Sequence, residues 1–294
     1  MYATNFEFNG VQAVDMGLVM GTWNGDGEDG EIGCKVTFNT SKPIINCNEW
    51  NIHGSHYEEP LTIEWSCMKN ICDLTDNEDM VITPAEQAYF HRWLECPGKY
   101  QYLRFFQDDY EDIYYYCTIS ITWNKVGGKI LGFKLTATCN APHGYSEVQF
   151  INKENIGTGD TFTLYSDSDD IGAQVFDSIE IQALGDGAVN ITNDLDIEYS
   201  MHNIAMNIDN CKTNEVILIN GKTKQITTDR TDHDDLADDY NYYPIRLVNY
   251  DNLVSPTLDG YSGTISQNRT NTYTNHGVPC NINLSYRSIR WAVI

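Results

Sequence analysis

The chain has 294 residues, enough for two domains that each have a hydrophobic core. Its 42 acidic residues outnumber the 18 basic ones, and the formal charge of -24 repels phosphate backbones and anionic lipid surfaces. Neither nucleic acid nor a membrane is therefore expected as a binding partner.

The first residues, from Met1 to Phe6, lack the basic and apolar regions of a secretory signal. No apolar run reaches the length of a membrane-spanning helix. The nine cysteines are odd in number and show no C-x-x-C spacing, and three of them (Cys67, Cys117 and Cys280) fall on the apolar phase of predicted strands. We therefore expect buried free thiols in a protein that folds in a reducing cytoplasm.

The first part of the chain is predicted to be β-structure interrupted by loops. An alternating strand ends at Phe8 and enters Asn9-Gly10, which is typical of a type I′ hairpin. The glycine-rich segment 24–30 is expected to be a loop, and the polar segment 46–57 either an irregular segment or an extended arm. Residues 61–67 alternate between apolar and polar, which predicts a half-buried strand.

One amphipathic helix is predicted over residues 84–95. Thr83 can cap it, Pro84 suits its first turn, and Glu86 completes a capping box. Pro97-Gly98 prevents its continuation. We expect it to pack on a sheet through four apolar residues: Tyr89, Phe90, Trp93 and Leu94. For Tyr89 and Trp93 the alternative is a contact between subunits, and core packing is favoured.

A long hairpin follows the helix, with strands 113–123 and 130–139 joined at Gly127-Gly128. Pro142 and Gly144 then break the β pattern, and the composition becomes richer in Asp, Asn and Thr. We therefore predict a domain boundary near residue 145, with domains at 1–145 and 146–294.

The second half is predicted to be an all-β sandwich, because its short alternating strands recur at regular spacing. Asn220-Gly221 predicts a two-residue hairpin turn. The acidic segment 230–239 could form a helical turn, but a solvated loop is favoured. Three tyrosines near this segment, Tyr240, Tyr242 and Tyr243, are expected to be exposed together with Tyr250 as a peripheral interface.

No residue pattern predicts an enzyme, a metal site or a cofactor site. His53, His56, Glu58 and Glu59 lack the helical spacing that places two imidazoles on one face. The acidic loop 24–28 is out of register with a calcium-binding loop. The motifs of nucleophilic hydrolases and nucleotide-binding proteins are absent from the sequence.

The order of several short motifs resembles the distal tail protein family, or Dit, the tail hub of long-tailed bacteriophages. These motifs are Phe8-Asn9-Gly10, the helix end Arg92-Trp93-Leu94, the strand 133–142 ending at Ala141-Pro142, and the last strand 282–287. Each motif is weak alone, and their order and spacing carry the resemblance, which spans nearly the whole chain.

The resemblance implies a mainly β fold of two β-sandwich domains, the first tube-protein-like with one flanking α-helix and the second galectin-like. It implies a homohexameric ring in the virion tail, assembled in the host cytoplasm. Its partners would be the tail tube protein, a tail-associated lysin or tip protein, and receptor-binding proteins. DNA would pass only as cargo, repelled by carboxylates along the bore.

Two other functions are weighed against a tail hub. A carbohydrate-binding protein would recognise the host envelope through the C-terminal sandwich, although the histidine, asparagine, arginine and tryptophan set of a galectin site is incomplete. A secreted β-sandwich hydrolase agrees poorly with nine cysteines and no secretory signal.

Overall fold

The computed structural model describes residues 3–21, 36–41, 51–70, 72, 77–95, 98–106, 113–202, 204–249 and 269–291. The prediction of a mainly β chain is confirmed. The chain forms two compact units, Met1–Ser146 with Arg290–Ile294, and Glu147–Ile289. The predicted loop 24–30, Tyr250 and three of the cysteines (Cys34, Cys47 and Cys96) lie outside the described residues.

The first unit is built around one antiparallel sheet. Its described strands are β1 (Asn5–Phe8), β2 (Val11–Gln12), β3 (Leu18–Met20), β4 (Val36–Ser41), β5 (Asn51–Tyr57), β6 (Thr62–Lys69), β7 (Gln101–Phe106), β8 (Tyr114–Val126), β9 (Lys129–Cys139) and β10 (Gly144–Tyr145). The main sheet has the order β2-β1-β7-β8-β9-β6-β3, and β10 pairs with β8. Strands β4 and β5 pair in a separate antiparallel two-stranded sheet.

The main sheet curls so that strands far apart in its order face each other. β1 and β6 are separated by three strands, yet the ring centroids of Phe6 and Trp65 lie 5.3 Å apart. Trp65 also meets Phe105 of β7 at 5.1 Å. The sheet therefore encloses its own apolar face and gives two facing layers around one core.

Helix α1 (Pro84–Leu94) begins with the predicted capping box. The Thr83 backbone N–H donates to Glu86 Oε2 at 2.7 Å, and the Glu86 N–H donates back to Thr83 Oγ1 at 3.3 Å. Glu86 also forms an ion pair with Lys69 of β6 at 2.8 Å. The same carboxylate thus caps the helix and ties its first turn to the sheet.

Two hairpins form where the sequence predicts them. Asn9 and Gly10 have φ values of 53° and 76°, the left-handed conformation that a type I′ turn requires, and they join β1 to β2. Gly127 and Gly128 have φ values of 58° and 83° and join β8 to β9. Of the two alternatives for residues 46–57, the irregular segment is wrong at β5, because its backbone pairs with β4 whatever the polarity of its side chains.

The second unit is a sandwich of two larger sheets. Its described strands are β11 (Gln149–Ile156), β12 (Thr161–Tyr165), β13 (Gly172–Val175), β14 (Ser178–Ala183), β15 (Gly187–Asn193), β16 (Ala205–Cys211), β17 (Val216–Asn220), β18 (Ile226–Thr228), β19 (Arg246–Asn249), β20 (Thr270–Asn275) and β21 (Cys280–Tyr286). The sheets have the orders β11-β21-β14-β17-β18 and β12-β20-β15-β16, and β13 pairs with β19. A last short strand, β22, spans Ile289–Arg290.

The two larger sheets of the second unit share one apolar core. Ile181 and Ile219 from one sheet and Ile191 and Ile208 from the other are all fully buried in it. Two short helices, α2 (Asp194–Ser200) and α3 (Leu236–Asp239), flank the sheets. The sequence did not predict α2, although Asn193 caps it by accepting from the Leu195 N–H at 3.2 Å.

The turn after β17 is longer than predicted. Ile219 pairs with Ile226, and the Asn220 N–H bonds to the Gln225 carbonyl, so the connection is not a two-residue turn at Asn220-Gly221. A Cβ on Gly221 would lie 1.7 Å from the Phe176 carbonyl oxygen. The glycine is therefore needed for a close backbone approach.

The C-terminal limit of the second domain is also corrected. The sequence assigned residues 146–294 to it, but Arg290 and the residues after it belong to the first unit. There the Trp291 ring stacks on Tyr57 at 5.3 Å and meets the His143 ring edge-on at 5.6 Å. No described helix is long and apolar enough to cross a membrane.

Candidate interaction surfaces

Three of the four predicted helix residues lie in the core of the first unit: Phe90, Trp93 and Leu94 are 4%, 8% and 0% exposed. The Trp93 ring stacks on Phe6 at 5.9 Å, and its indole N–H donates to the Phe8 carbonyl oxygen at 3.1 Å. The Phe90 ring meets Phe133 of β9 at 5.4 Å. Helix α1 therefore contacts two strands of the curled sheet, β1 and β9, that are not neighbours in its order.

Tyr89 does not pack in this core. Its side chain is 47% exposed, because it lies at the edge of the apolar face of α1. Its hydroxyl reaches Met16 Sδ at 3.8 Å, and its ring meets Phe90 edge-on. The prediction of core packing is therefore corrected for this residue.

An aromatic surface covers the outer side of β7 and β8. Leu103 and Phe105 point into the core, so the alternate residues of β7 point outward, and β8 follows the same pattern. We call these outward residues, together with Tyr100 at the end of the surface, the tyrosine face: Tyr100, Tyr102, Arg104, Phe106, Tyr114 and Tyr116.

The rings of the tyrosine face form a continuous contact chain. Tyr116 lies 5.6 Å from Tyr100 and 4.9 Å from Tyr102, measured between ring centroids. The Arg104 guanidinium lies over the rings of Phe106 and Tyr114 at 4.6 and 5.5 Å. Tyrosine, phenylalanine and arginine are the residues enriched at protein interfaces. The sequence showed the aromatic richness of these strands but not which rings share a face.

The predicted tyrosine cluster of the second unit is only partly exposed. Tyr240 is 2% exposed and belongs to the core, because its backbone bridges to Ile208 of β16. Burial raises the pKa of its hydroxyl. Tyr242 and Tyr243 are 45% and 58% exposed, so among the described tyrosines of this cluster these two stay candidates for an interface.

A buried polar cluster lies beside this segment. His233 is 7% exposed; its Nδ1 lies 2.7 Å from Glu215 Oε1, and its Nε2 lies 3.0 Å from Asp239 Oδ2. Thr228 and the Lys212 N–H also donate to Glu215, at 2.7 and 2.8 Å. The helical turn that segment 230–239 could form is present as α3, and the favoured solvated loop is wrong there, because His233 and Leu236 anchor the segment.

The two carboxylates of this cluster favour the charged form of His233. Burial alone would lower the pKa of His233, but the hydrogen bonds to Glu215 and Asp239 outweigh it and raise the pKa. The bond from Asn210, together with His233, lowers the pKa of Asp239. The cluster is internally satisfied, and its arrangement serves to fix the segment that follows β18.

An open groove of about 690 Å³ lies between the edge strands β11 and β12 of the second unit. Its lining is mainly polar and includes Lys153, Glu154, Asp160, Thr161 and Thr163. The described residues contain no group of three or more histidine, cysteine or acidic side chains arranged to hold a metal ion. The side chains of His53 and His56 lie outside that description.

Two protein families match the chain, one in each half. Residues 1–141 match a family described as phage tail protein N-terminal domain, and residues 143–286 match one described as phage tail C-terminal domain. No curated protein sequence matches the chain.

A solved structure has the same overall fold. It is the SPP1 Dit protein (gp 19.1), described as a paradigm of the hub adsorption apparatus in phages that infect Gram-positive bacteria. The two share 12% sequence identity with a TM-score of 0.56, over 96% of this chain and 98% of the SPP1 protein. The chain therefore belongs to the phage tail protein family that these two domains define, and it has the fold of a distal tail protein.

Proposed function

We propose that this protein is the hub at the distal end of a phage tail, where copies of the chain form a homohexameric ring. The first unit forms the ring, and the second unit lies at its periphery. The ring joins the tail tube to the tail tip or baseplate, including a tail-associated lysin and receptor-binding proteins. The role is structural and not enzymatic, and DNA passes through the ring during host entry.

The observation that carries this proposal is the match of both halves to phage tail domains in a chain with the Dit fold. The match covers nearly all of both chains, so the likeness extends over both domains and not over a single common domain.

The tyrosine face is our candidate for the contact between neighbouring copies. Copies that each carry a charge of -24 repel one another, so a contact between them is most favourable where carboxylates are few. The outward residues of β7 and β8 in the described part of the sheet, from Tyr102 to Phe106 and from Tyr114 to Thr118, include no carboxylate. Aromatic rings with an arginine provide contact area there without charge repulsion.

The number of copies in the assembly tests the proposal. The purified full-length chain is measured by sedimentation velocity over a range of concentrations at moderate salt, and the particles are imaged by negative-stain electron microscopy. A closed ring with a central hole about as wide as a DNA duplex supports a hub. A monomer at every concentration, also after mixing with purified tail tube protein, contradicts it.

A second candidate function is carbohydrate recognition by the second unit, and the groove between β11 and β12 is the observation that favours it. Lys153, Asp160 and Thr163 place charged and hydroxyl groups in one concave surface, which suits hydrogen bonding to sugar hydroxyls. Titration with host wall polysaccharide separates the two functions. Saturable binding that Asp160→Ala and Thr163→Ala abolish favours recognition, and no heat of binding favours a purely structural hub.

A further inference from the structure

Two buried cysteines stand directly opposite each other in the main sheet of the first unit. Cys117 of β8 pairs with Cys139 of β9, and both are free thiols with exposures of 0% and 1%. In the strand registers that the structure describes, no other pair of cysteines is opposed in this way. Cys67 of β6, for example, faces Phe133.

The backbone hydrogen bonds show that this pair is of the closely spaced type. The Cys139 N–H donates to the Leu61 carbonyl oxygen at 2.9 Å, on the side of the strand away from β8. The next residue, Asn140, donates to the Tyr116 carbonyl oxygen at 2.8 Å. Cys117 and Cys139 are therefore a non-hydrogen-bonded pair, whose Cα atoms lie about 4.5 Å apart in an antiparallel sheet. A disulfide spans Cα separations of about 4.4–6.8 Å, so the backbone need not move.

The two thiols are also in contact with each other. The neighbouring Cys139 thiol and burial both raise the pKa of Cys117, which favours the protonated form of the Cys117 thiol. Thiolate is the nucleophile in disulfide exchange, so reaction of the folded protein is slow until the sheet opens locally at this point.

We propose that Cys117 and Cys139 are a modification site, a dithiol that closes to an intramolecular disulfide when it meets a small disulfide oxidant. One cysteine sulfur attacks the oxidant, forms a mixed disulfide and releases one thiol. The second cysteine sulfur then attacks the first and releases the other thiol. Two S–H bonds are replaced by one S–S bond, and the oxidant disulfide is reduced to two thiols. The inference does not depend on the tail hub proposal.

The disulfide closes the open end of the longest hairpin in the described chain. The turn of that hairpin is at Gly127-Gly128, and the cysteine pair lies at the other end, where the strands separate. A covalent bond there restricts the unfolded chain and prevents fraying between β8 and β9. Oxidation is therefore expected to raise the melting temperature of the first unit by several degrees, and a reducing thiol reverses it.

Peptide mapping tests the proposal directly. The folded full-length protein is incubated with 4,4′-dithiodipyridine, without denaturant and in urea below the unfolding transition, and then alkylated with N-ethylmaleimide. Trypsin releases Cys117 in the peptide 105–125 and Cys139 in the peptide 135–153, and neither peptide contains another cysteine. A link between these two peptides as the main intramolecular disulfide is the expected result.

Cysteine variants provide matched controls. Cys117→Ala and Cys139→Ala lose the link and the rise in melting temperature, whereas Cys67→Ala, from an equally buried site in the same sheet, keeps both. The peptide map of the unmodified chain needs no variant, so it decides the question even if a variant fails to fold. Cys117 and Cys139 recovered as separate alkylated peptides under both conditions would overturn the proposal, and so would links shared evenly with other cysteines.

Discussion

The indole N–H of Trp93 donates a hydrogen bond to the backbone carbonyl oxygen of Phe8 at 3.1 Å, and this contact joins the only long described helix to the first strand of the sheet. The two residues are 85 positions apart in the chain. The stacking of Trp93 on Phe6 places the same ring beneath β1. One side chain therefore holds β1 against the helix both by a hydrogen bond and by packing.

Trp93 is expected to contribute strongly to the stability of the first unit. Trp93→Ala removes a buried indole and should lower the free energy of unfolding by about 3–5 kcal/mol. Trp93→Phe keeps a ring but leaves the Phe8 carbonyl without this donor, at a cost of about 1–2 kcal/mol. Urea denaturation followed by circular dichroism measures both. The control is Tyr89→Ala on the same helix, where the half-exposed side chain predicts a change within about 0.5–1 kcal/mol.

Stability is expected to fall with rising pH through the titration of His233. The folded-state pKa is raised, so its contribution is complete below the unfolded pKa of about 6.5 and is lost as the pH rises through the folded-state value. The free energy of unfolding should therefore decrease from about pH 6.5 upward. His233→Gln should flatten this dependence, since glutamine does not titrate. His202 is exposed, and His202→Gln is the matched control that should keep the pH dependence of the unmodified protein. Equal slopes for His233→Gln and the unmodified protein would contradict the assignment.

The tyrosine face is expected to control assembly. Tyr102→Ser combined with Tyr116→Ser removes two rings from the centre of the contact chain and should weaken self-association at least about 10-fold. Sedimentation velocity measures the loss, and circular dichroism checks that the sheet remains folded. Tyr242→Ser with Tyr243→Ser removes two exposed tyrosines of the second unit and serves as the matched control. If the control disassembles the ring and the first pair does not, the contact lies in the second unit.

Gly221 is expected to tolerate no side chain. A Cβ there would overlap the Phe176 carbonyl oxygen, so Gly221→Ala must displace buried backbone and should cost about 3 kcal/mol or more. Gly185→Ala is the comparison, since its Cβ would meet Val278 at an ordinary 3.8 Å. Thermal melting should separate the two variants clearly. Similar melting temperatures would show that the turn after Asn220 relaxes easily.

Local signals in the sequence predicted several elements correctly. The capping box of Thr83 and Glu86 and the Asn9-Gly10 turn each depend on residues within four positions, so they can be read without tertiary information. Such local signals left β5 open between an irregular segment and an extended arm, and they did not predict α2. β5 is stabilised by pairing with β4, and α2 is stabilised by packing on strands of the second unit.

The sequence by itself determined that the chain is mainly β, that one capped helix lies between the strands of the first half, and that the surface is strongly acidic. Only the tertiary structure decided which aromatic residues are exposed: it buries Tyr240, exposes Tyr89 and gathers Tyr102 and Tyr116 on one outer face. It also places Trp291 in the first unit and pairs Cys117 with Cys139 on adjacent strands. The physical reason is that periodicity indicates which residues share a face of one element, whereas strand order, register and sheet curvature decide what that face meets.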